Sequence, residues 1–178
     1  MMMGKIDTSL WKKIKLTSIF NMSNTKSIVQ KDICPESGNI PYVTASSENN
    51  GVLTYISCPD EWTDKGNCIM IGGKTMTFTY QETDFCSNDS HNIALYLKDK
   101  TQATKLHYLF LISALRASLS QRYSWNDSIS MKRIKSEDFY IPVTPDGFPD
   151  WAYMDSFMAE IMKESEICLE NLRIVLKI

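Results

Sequence analysis

The chain has 178 residues, 43% of them hydrophobic, 11% aromatic and 22% charged, with a formal net charge of −2. That length suits one domain of ordinary size with room for an appendage, and the composition excludes a disordered or low-complexity polypeptide. No apolar stretch approaches the roughly 18–20 residues that cross a bilayer. The most apolar run, Leu106 to Leu119, is broken by Ser113, Arg116 and Ser118, and Met1 to Trp11 lacks the apolar core of a secretory leader. A cytoplasmic protein away from any membrane is expected.

In chain order, Trp11, Ile14, Leu16, Ile19 and Phe20 form a short apolar opening, expected as a strand or turn that covers a sheet edge. Asn21 to Asn39 is polar and irregular, and Ile40 to Val43 is a short strand candidate. Asn50-Gly51 signals a turn, because both residues tolerate positive φ, and Val52 to Ile56 resumes an extended pattern. Cys68 to Ile71 and Thr75 to Tyr80 flank Gly72-Gly73 as a second hairpin, and Ile93 to Leu97 is a further strand. The period then changes. Leu106, Leu109, Phe110, Leu115 and Leu119 recur at helical spacing behind Thr104, a capping residue. Ile129 to Lys135 reads as a short helix, Phe139 to Val143 as a final strand, and Pro145-Asp146-Gly147 as a turn.

From Asp150 onward there is no Pro or Gly, and Asp150 itself can cap a helix. Trp151, Met154, Met158, Ile161, Cys168, Leu172 and Val175 lie three or four residues apart, with Ser165 interrupting. This spacing predicts a coiled-coil stripe about 40 Å long. A terminal helix lying along its own domain carries a similar stripe. Met162, Leu169, Leu176 and Ile178 widen the apolar face and favour a protruding helix that pairs with a second copy or another helix. The chain accordingly divides into 1–149 and a helical segment 150–178.

Motifs for chemistry are sparse. The five cysteines Cys34, Cys58, Cys68, Cys86 and Cys168 form no CxxC pair and read as unpaired small hydrophobes in a reducing compartment. His91 and His107 lie in different segments without a carboxylate at ligand spacing, so no metal site is expected. GxGxxG, GxxxxGK[ST] and GxSxG are all missing. Gly72-Gly73-Lys74-Thr75 is like the end of a phosphate loop but lacks the earlier glycine and the following helix. Asp60, Glu61 and Asp64 beside Lys65 show no strand pattern that would bring carboxylates together on a metal. A non-catalytic chain is expected.

Charge is uneven. Lys98 to Lys135 holds eight basic residues against two acidic ones, whereas Asp150 to Ile178 holds six acidic against three basic. A basic excess of that size suits a phosphate-contacting face and equally a solvated helix surface. The loops are rich in Thr, Ser, Asn and Gln; Asn and Gln can pair bidentately with adenine, as Arg and Lys can with guanine.

Four stretches, spread over residues 10 to 160, resemble the target recognition domain of type I restriction–modification specificity subunits. They are Ile40-Pro41-Tyr42-Val43-Thr44-Ala45-Ser46 running into Asn49-Asn50-Gly51-Val52; Gly66-Asn67-Cys68-Ile69-Met70-Ile71-Gly72-Gly73; Phe78-Thr79-Tyr80-Gln81; and Lys132-Arg133-Ile134-Lys135 leading to Ile141-Pro142-Val143 and Gly147-Phe148-Pro149-Asp150-Trp151. The resemblance implies an α+β fold, a twisted, mainly antiparallel sheet with flanking helices that reads double-stranded DNA in the major groove. It also implies a long helix that serves as spacer and docking surface for methyltransferase subunits. S-adenosylmethionine would be carried by the partner adenine methyltransferase and by no residue of this chain, with a nuclease subunit where the system has one.

Base contacts are then expected from Thr44, Ser46, Asn49 and Asn50, from Lys74 and Thr75, from Asn88, Ser90 and His91, and from Arg122, Tyr123, Trp125 and Asn126. Lys132, Arg133 and Lys135 would hold phosphates. The chain departs from the family in length, since typical members carry two recognition domains and two long helices. One of each suggests a half-subunit whose copies pair as a homodimer on a palindromic, bipartite site. It departs also at Tyr123-Ser124-Trp125-Asn126, which lacks the usual glycine and basic pair. A different reading makes the chain a decoy that binds the methyltransferase subunit without DNA specificity.

Overall fold

A computed structural model describes residues 6–123 and 128–176. The chain opens with strand β1 (Lys12–Lys15), one helical turn α1 (Leu16–Ile19) and β2 (Phe20–Asn24). β3 (Ile40–Val43) and β4 (Val52–Ile56) form a hairpin, and β5 (Cys68–Ile71) and β6 (Phe78–Gln81) form another. Next come the two-residue β7 (Cys86–Ser87), β8 (Ile93–Leu97), helix α2 (Lys105–Leu119), the short α3 (Met131–Ile134), β9 (Asp138–Ile141) and the long α4 (Trp151–Leu176).

The strands divide among three sheets, and their pairing is mainly antiparallel, as expected. β2-β8-β5-β6 is antiparallel throughout, β4-β3-β7 joins an antiparallel pair to the parallel pair β3–β7, and β1 pairs antiparallel with β9. The opening apolar segment is thus strand, turn and strand, and β2 forms an edge of the four-stranded sheet.

All four residues of β5 are buried. Ile69 and Ile71 enter the main core with α2, whereas Cys68 and Met70 pack with Val43, Phe85 and Ala94 on the opposite face. Side chains alternate across a strand, so the four-stranded sheet lies between a helical layer and the β4-β3-β7 sheet. That explains why Cys68-Ile69-Met70-Ile71 is apolar without alternation.

Both hairpin turns use left-handed backbone. Asn49, Asn50 and Gly51 have φ of 44°, 53° and 81° between β3 and β4, and Met76 has φ of 54° before β6. The second turn, closed by Gly72 N–H donating to the Thr77 carbonyl, delays β6 to Phe78, three residues later than the sequence suggests.

α2 starts at Thr104, whose hydroxyl accepts from the His107 N–H, and α4 at Asp150, whose carboxylate accepts from the Tyr153 N–H at 2.9 Å. The first turns of α4 lie on α2. Met154 and Met158 are buried in the main core, with Trp151, Phe157 and Ile161 packed against it, and Phe110 meets Tyr153 and Phe157 edge-on. The buried His107 ring sits 5.0 Å from the Trp151 ring, with its two nitrogens on the Gln102 and Trp151 carbonyls. Beyond Met162 the helix leaves the domain, and Ile167, Leu169, Leu172, Ile174, Val175 and Leu176 are exposed. The fold therefore corrects the expected partner face. Trp151, Met154, Met158 and Ile161 face their own domain, and Cys168, Leu172 and Val175 stay outward.

Candidate nucleic-acid interface

One end of the four-stranded sheet is where β2 and β5 finish and β6 and β8 begin. Loops from distant parts of the sequence gather there. The Ile129 N–H donates to the Gly73 carbonyl at 3.0 Å, the Asn88 N–H to the Val43 carbonyl at 3.1 Å, and the Thr25 N–H to the Asn92 carbonyl at 3.0 Å. The glycines at 72 and 73 permit this crowding. A Cβ on Gly72 would lie 2.7 Å from the Ala45 Cβ, and one on Gly73 would lie 2.4 Å from the His91 carbonyl oxygen. The loops 44–51, 72–77, 87–92 and the segment arriving at Ile129 thus form one rim.

The rim carries most of the residues selected as base readers. Lys74, Thr75, Ser90 and His91 are exposed on it, and Thr44, Ser46 and Asn88 are half-buried. Asn49 and Asn50 are exposed farther along the 44–51 loop, where Asn50 meets Tyr80 and Gln81 toward the far end of β6. Several spend part of their polarity on the loops themselves. Asn49 Nδ2 donates to the Val52 carbonyl, Asn50 Nδ2 to the Tyr80 carbonyl, and Thr75 shares a hydrogen bond with Thr77. Ser46 caps Glu48 through its hydroxyl, and Asn88 Oδ1 accepts from Asn92.

Asp89 fastens two of the loops. Its carboxylate lies 3.1 Å from Lys74 Nζ and 2.7 Å from His91 Nδ1, and it also accepts from the His91 N–H. Partial burial works to raise this carboxyl, but the hydrogen bonds from His91 and Lys74 outweigh it and hold the group down at about 2. Beneath the loop, the buried Thr25, Ser87 and Asn92 are linked by hydrogen bonds, and Asn24 Nδ2 reaches the Ser90 carbonyl. The sequence reading passed over Asp89. A carboxylate is repelled by phosphate, and its role in holding Lys74 and His91 emerges only once the fold brings Lys74 beside it.

Farther along the flank the cations are partly neutralised. Arg122 pairs with Glu137 and reaches Asp138, and the Tyr123 hydroxyl donates to Glu137. Arg133 stacks over the Tyr123 ring at 4.5 Å from its centroid and donates to the Ser128 carbonyl. Arg122, Tyr123 and Arg133 are thus built into a side-chain cluster. Trp125 and Asn126 lie outside the described residues. Lys132 and Lys135 are exposed on and just after α3, with no ion pair among the described residues.

The sequence reading also missed Lys12, Lys13 and Lys15, three of the four residues of β1. Lys13 and Lys15 pair with Asp138, and Lys15 Nζ donates to the Ser136 carbonyl next to Lys135. These lysines were visible as a run but fell outside the segment singled out for its basic excess.

Among the described residues, no three His, Cys, Asp or Glu side chains are grouped to hold a metal ion. No helix among them is long and apolar enough to cross a membrane. The arrangement offers hydrogen-bonding side chains on a braced rim, with cations along its flank.

The pattern of the type I restriction modification DNA specificity domain matches residues 8–171. The chain belongs to that family. A curated relative is the specificity subunit S.BcgI of the type II restriction enzyme BgcI from Heyndrickxia coagulans, 24% identical over 151 residues. That match covers 83% of this chain and 42% of the relative. Among solved structures, the S subunit of a type I restriction–modification system from M. genitalium is similar over 94% of this chain and 44% of its own, with a TM-score of 0.59 and 17% identity. The HsdS subunit from Thermoanaerobacter tengcongensis covers 91% of this chain and 40% of its own, with a TM-score of 0.58 and 14% identity. The specificity-domain chain therefore spans less than half the length of these relatives, and its α+β fold is theirs.

Proposed function

We propose that this specificity-domain chain reads a DNA sequence and directs a partner adenine methyltransferase to it. The observation that supports this most is the gathering of separate loops at one end of the sheet, which exposes Lys74, Thr75, Ser90 and His91 together, with Asn49 and Asn50 exposed farther along the 44–51 loop. Amide, hydroxyl and ammonium groups on such a rim suit the donor and acceptor pattern of the major groove. Lys132 and Lys135 beside it suit phosphates, which set register without reading sequence. The exposed distal half of α4 is the surface for a methyltransferase subunit or for the same helix of a second copy. The partner supplies S-adenosylmethionine, flips the target base and does the chemistry. This chain contributes no catalytic group and works in the cytoplasm.

The test is co-expression with a methyltransferase subunit of a type I restriction–modification system from the same source, followed by mapping of methylated adenines across host DNA. Methylation at a defined motif is the expected result, and a split palindrome would add that two copies act together. An asymmetric motif would keep the reading role but replace the homodimer with a second, different recognition chain. A stable protein complex with no methylation at any motif would overturn DNA reading and leave a decoy that occupies the methyltransferase.

A further inference from the structure

Cys58 follows β4 and Cys86 opens β7, 28 positions later, yet their sulfurs lie 3.1 Å apart. They belong to a small apolar cluster with Tyr42, Ile56, Ile40 and Trp62, separate from the main core. Cys86 is fully buried and paired in register with Tyr42, whereas Cys58 is half-buried. The other thiols are placed differently. Cys34 and Cys168 are exposed with no sulfur neighbour among the described residues, and Cys68 is buried with its thiol toward the Lys65 carbonyl.

We propose that Cys58 and Cys86 are a redox-responsive thiol pair, reduced at rest and converted by hydroperoxides into one intramolecular disulfide. A bonded pair of sulfurs is about 2.05 Å apart, so closure asks the two sulfurs to approach by about 1 Å. The order of events follows from exposure. The Cys58 thiolate attacks the terminal peroxide oxygen, the O–O bond breaks, and Cys58 becomes a sulfenic acid as hydroxide, or alkoxide from an organic hydroperoxide, leaves and is protonated. The Cys86 sulfur, releasing its proton, then attacks the Cys58 sulfur; the S–S bond forms, the S–O bond breaks, and the departing hydroxide takes that proton as water. Two electrons pass from the two sulfurs to the peroxide. Burial, together with the neighbouring Cys58, pushes the Cys86 thiol up to about 12, which keeps it protonated and unreactive toward oxidants in solution. The bond would tie the loop after β4 to the strand that leads directly into the rim loop 87–92.

The test uses the full chain with Cys34→Ser and Cys168→Ser, so that no exposed thiol competes. Brief treatment with hydrogen peroxide should remove two hydrogens from the intact mass. A single cross-linked peptide pair holding Cys58 and Cys86 should appear, and dithiothreitol should reverse the change. The thermal midpoint of the oxidised form should rise, because the bond constrains the unfolded chain. Cys58→Ser should abolish the cross-link and leave Cys86 unmodified. Cys86→Ala, a small apolar replacement that keeps the fold, should accumulate sulfenic or sulfinic acid at Cys58. Oxygen adducts at Cys58 without a cross-link in the folded parent, or a cross-link through Cys68, would overturn the proposal. The readout involves no DNA, so its failure is separate from any failure of the proposed function.

Discussion

Asp89 joins Lys74 and His91 across two loops of the rim, and its depressed carboxyl makes the rim acid-sensitive in a defined direction. An ordinary Asp titrates near 3.9. The stabilisation from ionised Asp89 is therefore fully present above about pH 4 and is lost as pH falls through about 2. Thermal unfolding followed from pH 5 to about pH 2 should show this acid limb in the wild type and a shallower one in Asp89→Asn. Gly73→Ala tests the same rim by crowding. The new methyl group would press on the His91 carbonyl oxygen, and a loss of about 1–3 kcal/mol in unfolding free energy is expected. Arg122 was expected to read a base, but its guanidinium is engaged by Glu137 and Asp138. Arg122→Ala should therefore weaken binding to all duplexes alike and leave the methylated motif unchanged. Relaxation of a single position in the motif would return Arg122 to the reading face. The pairings of Lys74 with Asp89 and of Arg122 with Glu137 could not be read from the chain, since each joins residues 15 apart with no shared periodicity.

Helix α4 shows where periodicity informs and where it stops. Spacing of three and four predicted one stripe from Trp151 to Val175, and the helix forms over Trp151–Leu176. The same spacing cannot say what covers each turn. Met154 and Met158 meet α2 and the core, whereas Leu172 and Val175 are exposed. The two halves should respond in opposite ways. Met154→Ala removes a fully buried side chain and should cost about 2–5 kcal/mol of stability. Leu172→Asp should move stability by less than about 0.5 kcal/mol. In light scattering, it should shift any self-associated form toward monomer, and it should weaken capture of the methyltransferase subunit. The hairpins were easier to see, because Asn50-Gly51 and Gly72-Gly73 punctuate the strands with residues that accept unusual backbone or close approach. β7 gave no signal at all, as two residues carry no period.

The whole molecule has three layers, and the sequence disclosed the ingredients rather than the order. Runs such as Cys68-Ile69-Met70-Ile71 announce burial on two sides, yet the parallel pairing of β3 with β7 depends on contacts some 44 positions apart and a two-residue strand. Four loose motifs in sequence order pointed to the family because they hold turns and strands of the fold. Of the proposed readers, Thr44, Ser46, Asn49 and Asn50 lie within the first, while Lys74, Thr75, Asn88, Ser90 and His91 lie in the loops between them. Those loops are also where a chain can vary without disturbing its core. The central position of β5 has a consequence for how the protein breathes. This strand is hydrogen-bonded to β6 on one edge and β8 on the other and is covered on both faces. Its amides open to solvent only when the domain unfolds as a unit. In deuterated buffer, Cys68–Ile71 should keep its protons longest and the turns of α4 beyond Met162 should lose theirs first, so the exchange times alone would trace the layers from the centre outward.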